Sequence, residues 1–155
     1  MIPSSSQPLR AWFVVGARRS LLTQGCQCPV VLCGPTMKTE EIARRLIAHC
    51  REAKWEAAQR ELYAENAESI EAQATPAFAK ETRGLAAIIE KGNKFDSMVE
   101  KLHRVTTSEP LVAENSFACT MELDVTMKGQ GRFTMRELCV YEVKDGKIVT
   151  ERFYP

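Results

Sequence analysis

The sequence predicts an α+β domain. Two observations carry that prediction: helical apolar spacing is confined to residues 39–94, and period-two alternation dominates residues 99–154. A third observation supports it, since glycine-bearing turns separate the last three alternating runs, as in an antiparallel meander.

The first helix begins at Thr39, a capping residue type, with Glu40 and Glu41 in the turn where negative charge is favoured. Ile42, Leu46, Ile47 and Cys50 then form one apolar stripe. A second, shorter helix is expected from Trp55 to about Asn66, with Ala58 and Leu62 on one side. Ala67 to Ala72 reads as a short strand, broken at Thr75-Pro76. A third helix is expected from Gly84 to about Lys94, carrying Leu85, Ile88 and Ile89, with Gly92-Asn93 ending or kinking it. Four strands follow, near 99–108, 113–128, 132–144 and 147–154.

Composition narrows the function classes. The apolar share is 45%, the charged share 26% and the formal net charge +1, which suits a soluble globular chain and argues against an electrostatic nucleic-acid binder. No apolar run reaches the roughly 20 residues of a membrane-spanning helix. Residues 1–36 differ from the rest. They hold three arginines, no acid, and Cys26, Cys28 and Cys33. They read as an N-terminal extension, from a start codon chosen too far upstream or as a targeting segment, with the working domain over 37–155. The three clustered cysteines are a weak metal signal, and neither His-x3-His nor Cys-x2-Cys spacing occurs; no metal or cofactor is expected. The expected location is cytoplasmic, with a targeting role for residues 1–36 left open.

The sheet strands carry the chemistry. From 117 to 127 every odd residue is apolar, and from 133 to 143 only Glu137 interrupts the same pattern. Two registers compete at the last turn. A three-residue loop at Lys144-Asp145-Gly146 puts Val149, Glu151 and Phe153 on the face of Glu137, with Glu137 opposite Phe153 and Glu151 diagonal to it. A two-residue Asp145-Gly146 turn puts Ile148, Thr150, Arg152 and Tyr154 there instead and turns Glu151 outward. At the preceding turn a Gly129-Gln130-Gly131 loop would pair Met127 with Phe133 and Leu123 with Glu137. Asp124 would then face Arg136 on the other face.

The two leading helices, the Thr82-Arg83-Gly84 element before the third, and above all Tyr141-x-Val143-x-Asp145-Gly146-Lys147-Ile148 resemble SnoaL-like proteins of the nuclear transport factor 2-like superfamily. The resemblance spans about Met37 to Tyr154. It implies a cone-shaped fold, with three N-terminal helices packed on a strongly curved antiparallel sheet around a pocket. It also implies a homodimer formed through the sheet's outer surface. In SnoaL-type cyclases a pocket histidine and an aspartate flank this hairpin, and those positions fall on Glu137 and Glu151. The histidine is therefore replaced here.

Two carboxyls in one apolar pocket would titrate apart, one able to serve as base and one as acid in isomerase, cyclase or dehydratase chemistry. Glu151 is the candidate base and Glu137 the candidate acid. Tyr141, Met121, Phe153, His103 and Trp55 are the candidate ligand-binding residues. The leading expectation is a domain that binds a small apolar or aromatic molecule. The alternatives are that enzyme, or a dimeric protein-interaction module.

Overall fold

The computed structural model describes residues 36–155; the expectations for residues 1–35, including the Cys26–Cys33 cluster, lie outside the described residues. Helices α1 (Thr39–Arg51), α2 (Trp55–Leu62) and α3 (Leu85–Met98) accompany seven strands: β1 (Tyr63–Ile70), β2 (Glu81–Arg83), β3 (Val99–Thr107), β4 (Leu111–Val112), β5 (Ser116–Met127), β6 (Gly131–Lys144) and β7 (Lys147–Tyr154). They form one curved, unclosed sheet in the order β2-β1-β7-β6-β5-β3, with β4 added beside β5. The architecture is α+β as expected. The sheet is mixed rather than wholly antiparallel, because β1 runs parallel to β7.

The stripe on α1 packs as its spacing requires: Ile42, Ala43, Leu46, Ile47 and Cys50 are all buried. Thr39 does not cap the helix. Lys38 occupies that position, and the Thr39 hydroxyl donates instead to the Glu114 carbonyl at 2.9 Å, tying α1 to the turn before β5. Helix α2 stops at Leu62, four residues early. From Tyr63 the backbone is extended, and Tyr63, Ala67 and Ser69 face inward beside β7. Sheet pairing and burial outweigh the helical propensity of Ala64 and Glu65, because propensity yields to tertiary context. Helix α3 shows the opposite outcome. It continues through Gly92-Asn93 to Met98, because Phe95 and Met98 pack against Leu123, Val125 and Met127 and offset the roughly 1 kcal/mol cost of a helical glycine.

The odd face of β5 is buried at Phe117, Cys119, Leu123, Val125 and Met127. Odd residues of β5 meet odd residues of β6, but two positions away from the expected pairing. Met127 faces Gly131, Leu123 faces Met135 and Met121 faces Glu137. The loop is Lys128-Gly129-Gln130, one residue earlier than read from the glycines. On the outer face Glu122 therefore meets Arg136, bonded at 2.7 Å, while Asp124 faces Thr134 and takes both bonds of the Arg132 guanidinium at 2.8 and 2.7 Å.

The β6–β7 hairpin combines features of both expected registers. Lys144 pairs with Lys147, so the turn is the two-residue Asp145-Gly146, with φ of 52° and 74°. Val143 pairs with Ile148, but Glu142 pairs with Thr150, so Val149 is one residue too many. This bulge reverses the alternation. Ile148 before it and Glu151 after it both point into the core, at 0% and 4% exposure. Glu151 then faces Tyr141 and Phe153 faces Cys139. Phe153 is thus diagonal to Glu137, whereas Glu151 stands neither opposite nor diagonal to it.

Candidate functional site

The concave face of the sheet and the three helices enclose a cavity of about 500 Å³. Its apolar wall includes Trp55, Phe95, Met121, Leu123, Met135 and Phe153. Trp55 and Met121 pack against both groups of buried apolar side chains, the larger around α1 and the smaller around Leu123, so they bridge the two at the cavity. Tyr141 lies on the floor, stacked on Phe117 with ring centroids 4.7 Å apart.

Glu151 is the buried carboxyl of the cavity. Burial pushes its pKa up, opposed by hydrogen bonds from Tyr63 and Ser69 and by the positive charge of Lys91. The Tyr63 hydroxyl donates to Glu151 Oε2. Ser69 is the residue level with Glu151 on the parallel neighbour β1, which brings its hydroxyl alongside. Burial, and next the charge of Glu151, keep the Tyr63 hydroxyl protonated well above the usual phenol range, so it remains a donor.

Lys91 connects the polar groups. Its ammonium donates to Ser69 Oγ at 2.7 Å, pairs with Glu71 Oε1 at 2.5 Å, and lies 5.3 Å from the centroid of the Phe153 ring. Glu137 lies elsewhere on the wall. Burial raises its pKa first, and the nearby Glu71 charge second; Lys91 opposes both, and Glu151 has the smallest influence of the four. The registers explain that order. Glu151 is level with Tyr141, four residues along β6 from Glu137, which is about 13 Å of strand. The two carboxyls are thus separate groups of one cavity rather than a contacting pair.

Of the seven residues singled out from the sequence, Glu137, Glu151, Tyr141, Met121, Phe153 and Trp55 all line the cavity. His103 does not. Its ring bonds to Thr126 Oγ1 at 2.8 Å across the β3–β5 pair. The lone aromatic nitrogen base in the strands is thus engaged by its sheet neighbour. His49 is likewise occupied, 2.9 Å from Glu61. Four polar residues of the site were not singled out for it: Tyr63, Ser69, Glu71 and Lys91. Tyr63 falls inside the span expected to be helical. Two signals could have found the others. Ala67 and Ser69 share the inward parity of β1, Glu71 continues that parity just past the strand's end, and Lys91 follows Ile88 by three residues on the buried side of α3.

Three free cysteines, Cys50, Cys119 and Cys139, are buried, and Cys119 faces Cys139 directly across β5 and β6. Burial is the main cause that pushes the Cys50 thiol up to about 12, so it is a poor nucleophile despite lining the cavity. Among the described residues, no three His, Cys, Asp or Glu side chains converge to hold a metal ion. No helix among them is long and apolar enough to cross a membrane.

Comparison with known proteins places this geometry in a family. Residues 37–155 match the sequence profile of the SnoaL-like domain. A solved structure of a candidate SnoaL-like polyketide cyclase from Mesorhizobium loti is 31% identical, with a TM-score of 0.71 over 77% of this chain and 100% of that one. A candidate isomerase from Bacillus subtilis is 24% identical, with a TM-score of 0.58 over 74% and 83% of the two chains. A ketosteroid isomerase-like protein from Catenulispora acidiphila, solved in complex with trimethylamine, is 17% identical, with a TM-score of 0.59 over 74% and 85%. The last two establish likeness of fold alone. Among curated proteins nothing matches. With a profile match over the whole described domain and a structural relative above 30% identity, the chain belongs to the SnoaL-like domain family.

Proposed function

We propose that this SnoaL-like domain binds a small apolar or aromatic molecule in the cavity of the sheet. The supporting observation is the cavity itself: about 500 Å³, walled by Trp55, Phe95, Met121 and Phe153, with a few polar groups converging on it. The trimethylamine in the Catenulispora acidiphila relative is consistent with a ligand site in such a fold. Native mass spectrometry of the purified protein, together with titration by a hydrophobic fluorescent dye, tests the reading. A co-purified mass or saturable dye binding at one site per chain is expected. Absence of both overturns it.

One observation favours catalysis by the same site. Glu151 is buried, its pKa is raised, and it has a fixed donor in Tyr63. A carboxyl so held suits proton transfer at a carbon beside a carbonyl, as in an isomerase, cyclase or dehydratase. Glu151 would act as base once ionised, and Glu137, further along the wall, as acid or hydrogen-bond donor to the far end of the substrate. Glu151→Gln should then abolish turnover while ligand binding persists. Undiminished turnover removes Glu151 from the mechanism.

The outer face of the sheet supports a homodimer as a further part of the proposal. Leu138 and Tyr154 are paired neighbours there, exposed at 43% and 46%, and Leu111 extends the apolar surface beside β5. Analytical ultracentrifugation of the wild type and of Leu138→Glu checks it. A dimer that dissociates in the variant is expected, and a monomeric wild type overturns it.

A further inference from the structure

The charges of the cavity wall are unequal. Glu71, Asp96, Glu137 and Glu151 line it, and Lys91 is the one cation among the described lining residues. That cation is already engaged by Glu71 and Ser69. A ligand carboxylate, phosphate or sulfate would therefore meet a surplus of carboxyls and no free positive partner. Glu151 is satisfied by Tyr63. Glu137 has no ion-pair partner among the described residues, although burial and the Glu71 charge make its ionised form costly.

The aromatic wall points the same way, independently of the carboxyls. Two of its rings already carry an ammonium 5.3 Å from their centroids: Phe153 under Lys91 and Phe78 under Lys94. Trp55 and Phe95 line the same cavity and have no such partner among the described residues. They pack in one group with Met121 and Met135. Met121 is the residue directly opposite Glu137 on the sheet. The register thus brings the unpaired carboxyl to the edge of the unoccupied aromatic wall. A positive charge placed there would gain a counter-ion and a ring face, each strengthened by exclusion of water.

Resting on the reading of the cavity as a small-molecule site, we propose that its ligand is a compact organic cation. The class is a protonated or quaternary amine with an apolar body, its charge toward Glu137 and its body against Trp55, Phe95 and Met121. Glu137 then acts as the ligand's counter-ion, and the cavity selects against organic acids.

The test is calorimetric titration of the full chain with three probes of similar size: benzyltrimethylammonium, benzyl alcohol and phenylacetate. The cation should bind at least tenfold tighter than the alcohol, and phenylacetate should give no binding. Glu137→Gln, a near-isosteric change at a half-buried wall position, should cost the cation about tenfold and leave the alcohol unchanged. Circular dichroism melting shows that the variant is folded. If benzyl alcohol equals or exceeds the cation, or phenylacetate binds best, the cation proposal is overturned while the small-molecule reading stands. Equal cation affinity in Glu137→Gln also overturns it. Failure of all three probes, together with absence of dye binding, overturns both.

Discussion

Tyr63, the first residue of β1, donates its hydroxyl to Glu151 on β7, a residue 88 positions later in the chain. The bond exists because α2 ends one residue before Tyr63 and because β1 lies parallel to β7. It supplies a buried carboxyl with its donor and joins the helical half of the domain to the last strand. Tyr63→Phe removes the donor and leaves a buried oxygen with fewer partners, which should cost about 1–3 kcal/mol in denaturant unfolding. It should also move the Glu151 titration upward, since the Tyr63 bond is the largest influence lowering it. Carboxyl-carbon NMR titration of the two proteins reads that shift directly.

Glu151 makes stability depend on pH. Its folded pKa lies above that of the unfolded chain, so between the two values the native state holds more protons than the unfolded state. The contribution is fully present below the unfolded carboxyl pKa and is lost as pH rises through the folded value. Glu151→Gln is neutral in both states. The Tm of the wild type relative to Glu151→Gln should therefore fall as pH rises above the ordinary carboxylate range. A constant difference above that range would mean that Glu151 titrates as a free carboxyl.

Lys91 is the one cation among the described residues lining the cavity. Lys91→Met leaves Glu71 without its partner and removes the charge that lowers both Glu137 and Glu151. Stability at neutral pH should drop by about 1–2 kcal/mol, between the values for exposed and buried pairs. The titrations of Glu137 and Glu151 should both move up. A drop in stability with neither titration moving would confine Lys91 to its bond with Glu71.

Gly146 occupies the second position of the β6–β7 turn with φ of 74°, where a side chain is strained. A Cβ there would also come within 2.9 Å of the Met37 backbone nitrogen. Gly146→Ala should destabilise the domain by about 1–3 kcal/mol, measured by thermal or chemical unfolding.

Gly92 offers a way to close the cavity without harming the fold. It lies inside α3 at the cavity wall, and a Cβ there meets only the Gln59 side chain, at 3.9 Å. Gly92→Leu should gain about 0.5–1 kcal/mol of helix stability. Its side chain should abolish dye binding and any co-purified ligand. Unchanged binding would place the ligand away from this part of the wall.

The sequence by itself determined which strand faces are buried and which helix faces pack. The odd residues of β5, the stripe of α1, and Glu137 as the one polar interruption of its run were all legible, because periods of 2 and 3.6 are local properties. The inward place of Glu151 followed from the family resemblance. Pairing offsets were not legible. A slip of two residues preserves every inward side chain, so alternation alone cannot distinguish Leu123 opposite Glu137 from Met121 opposite Glu137. Nor could alternation reveal the bulge at Val149. The bulge gives a two-residue turn and an inward Glu151 together, and it forms where β1 and β6 both pair with β7. Lys91, Glu71 and Ser69 became one network only when α3 was laid across the end of β1. That placement depends on the burial of Ile88 and Phe95 against the sheet, a tertiary contact that no single segment encodes.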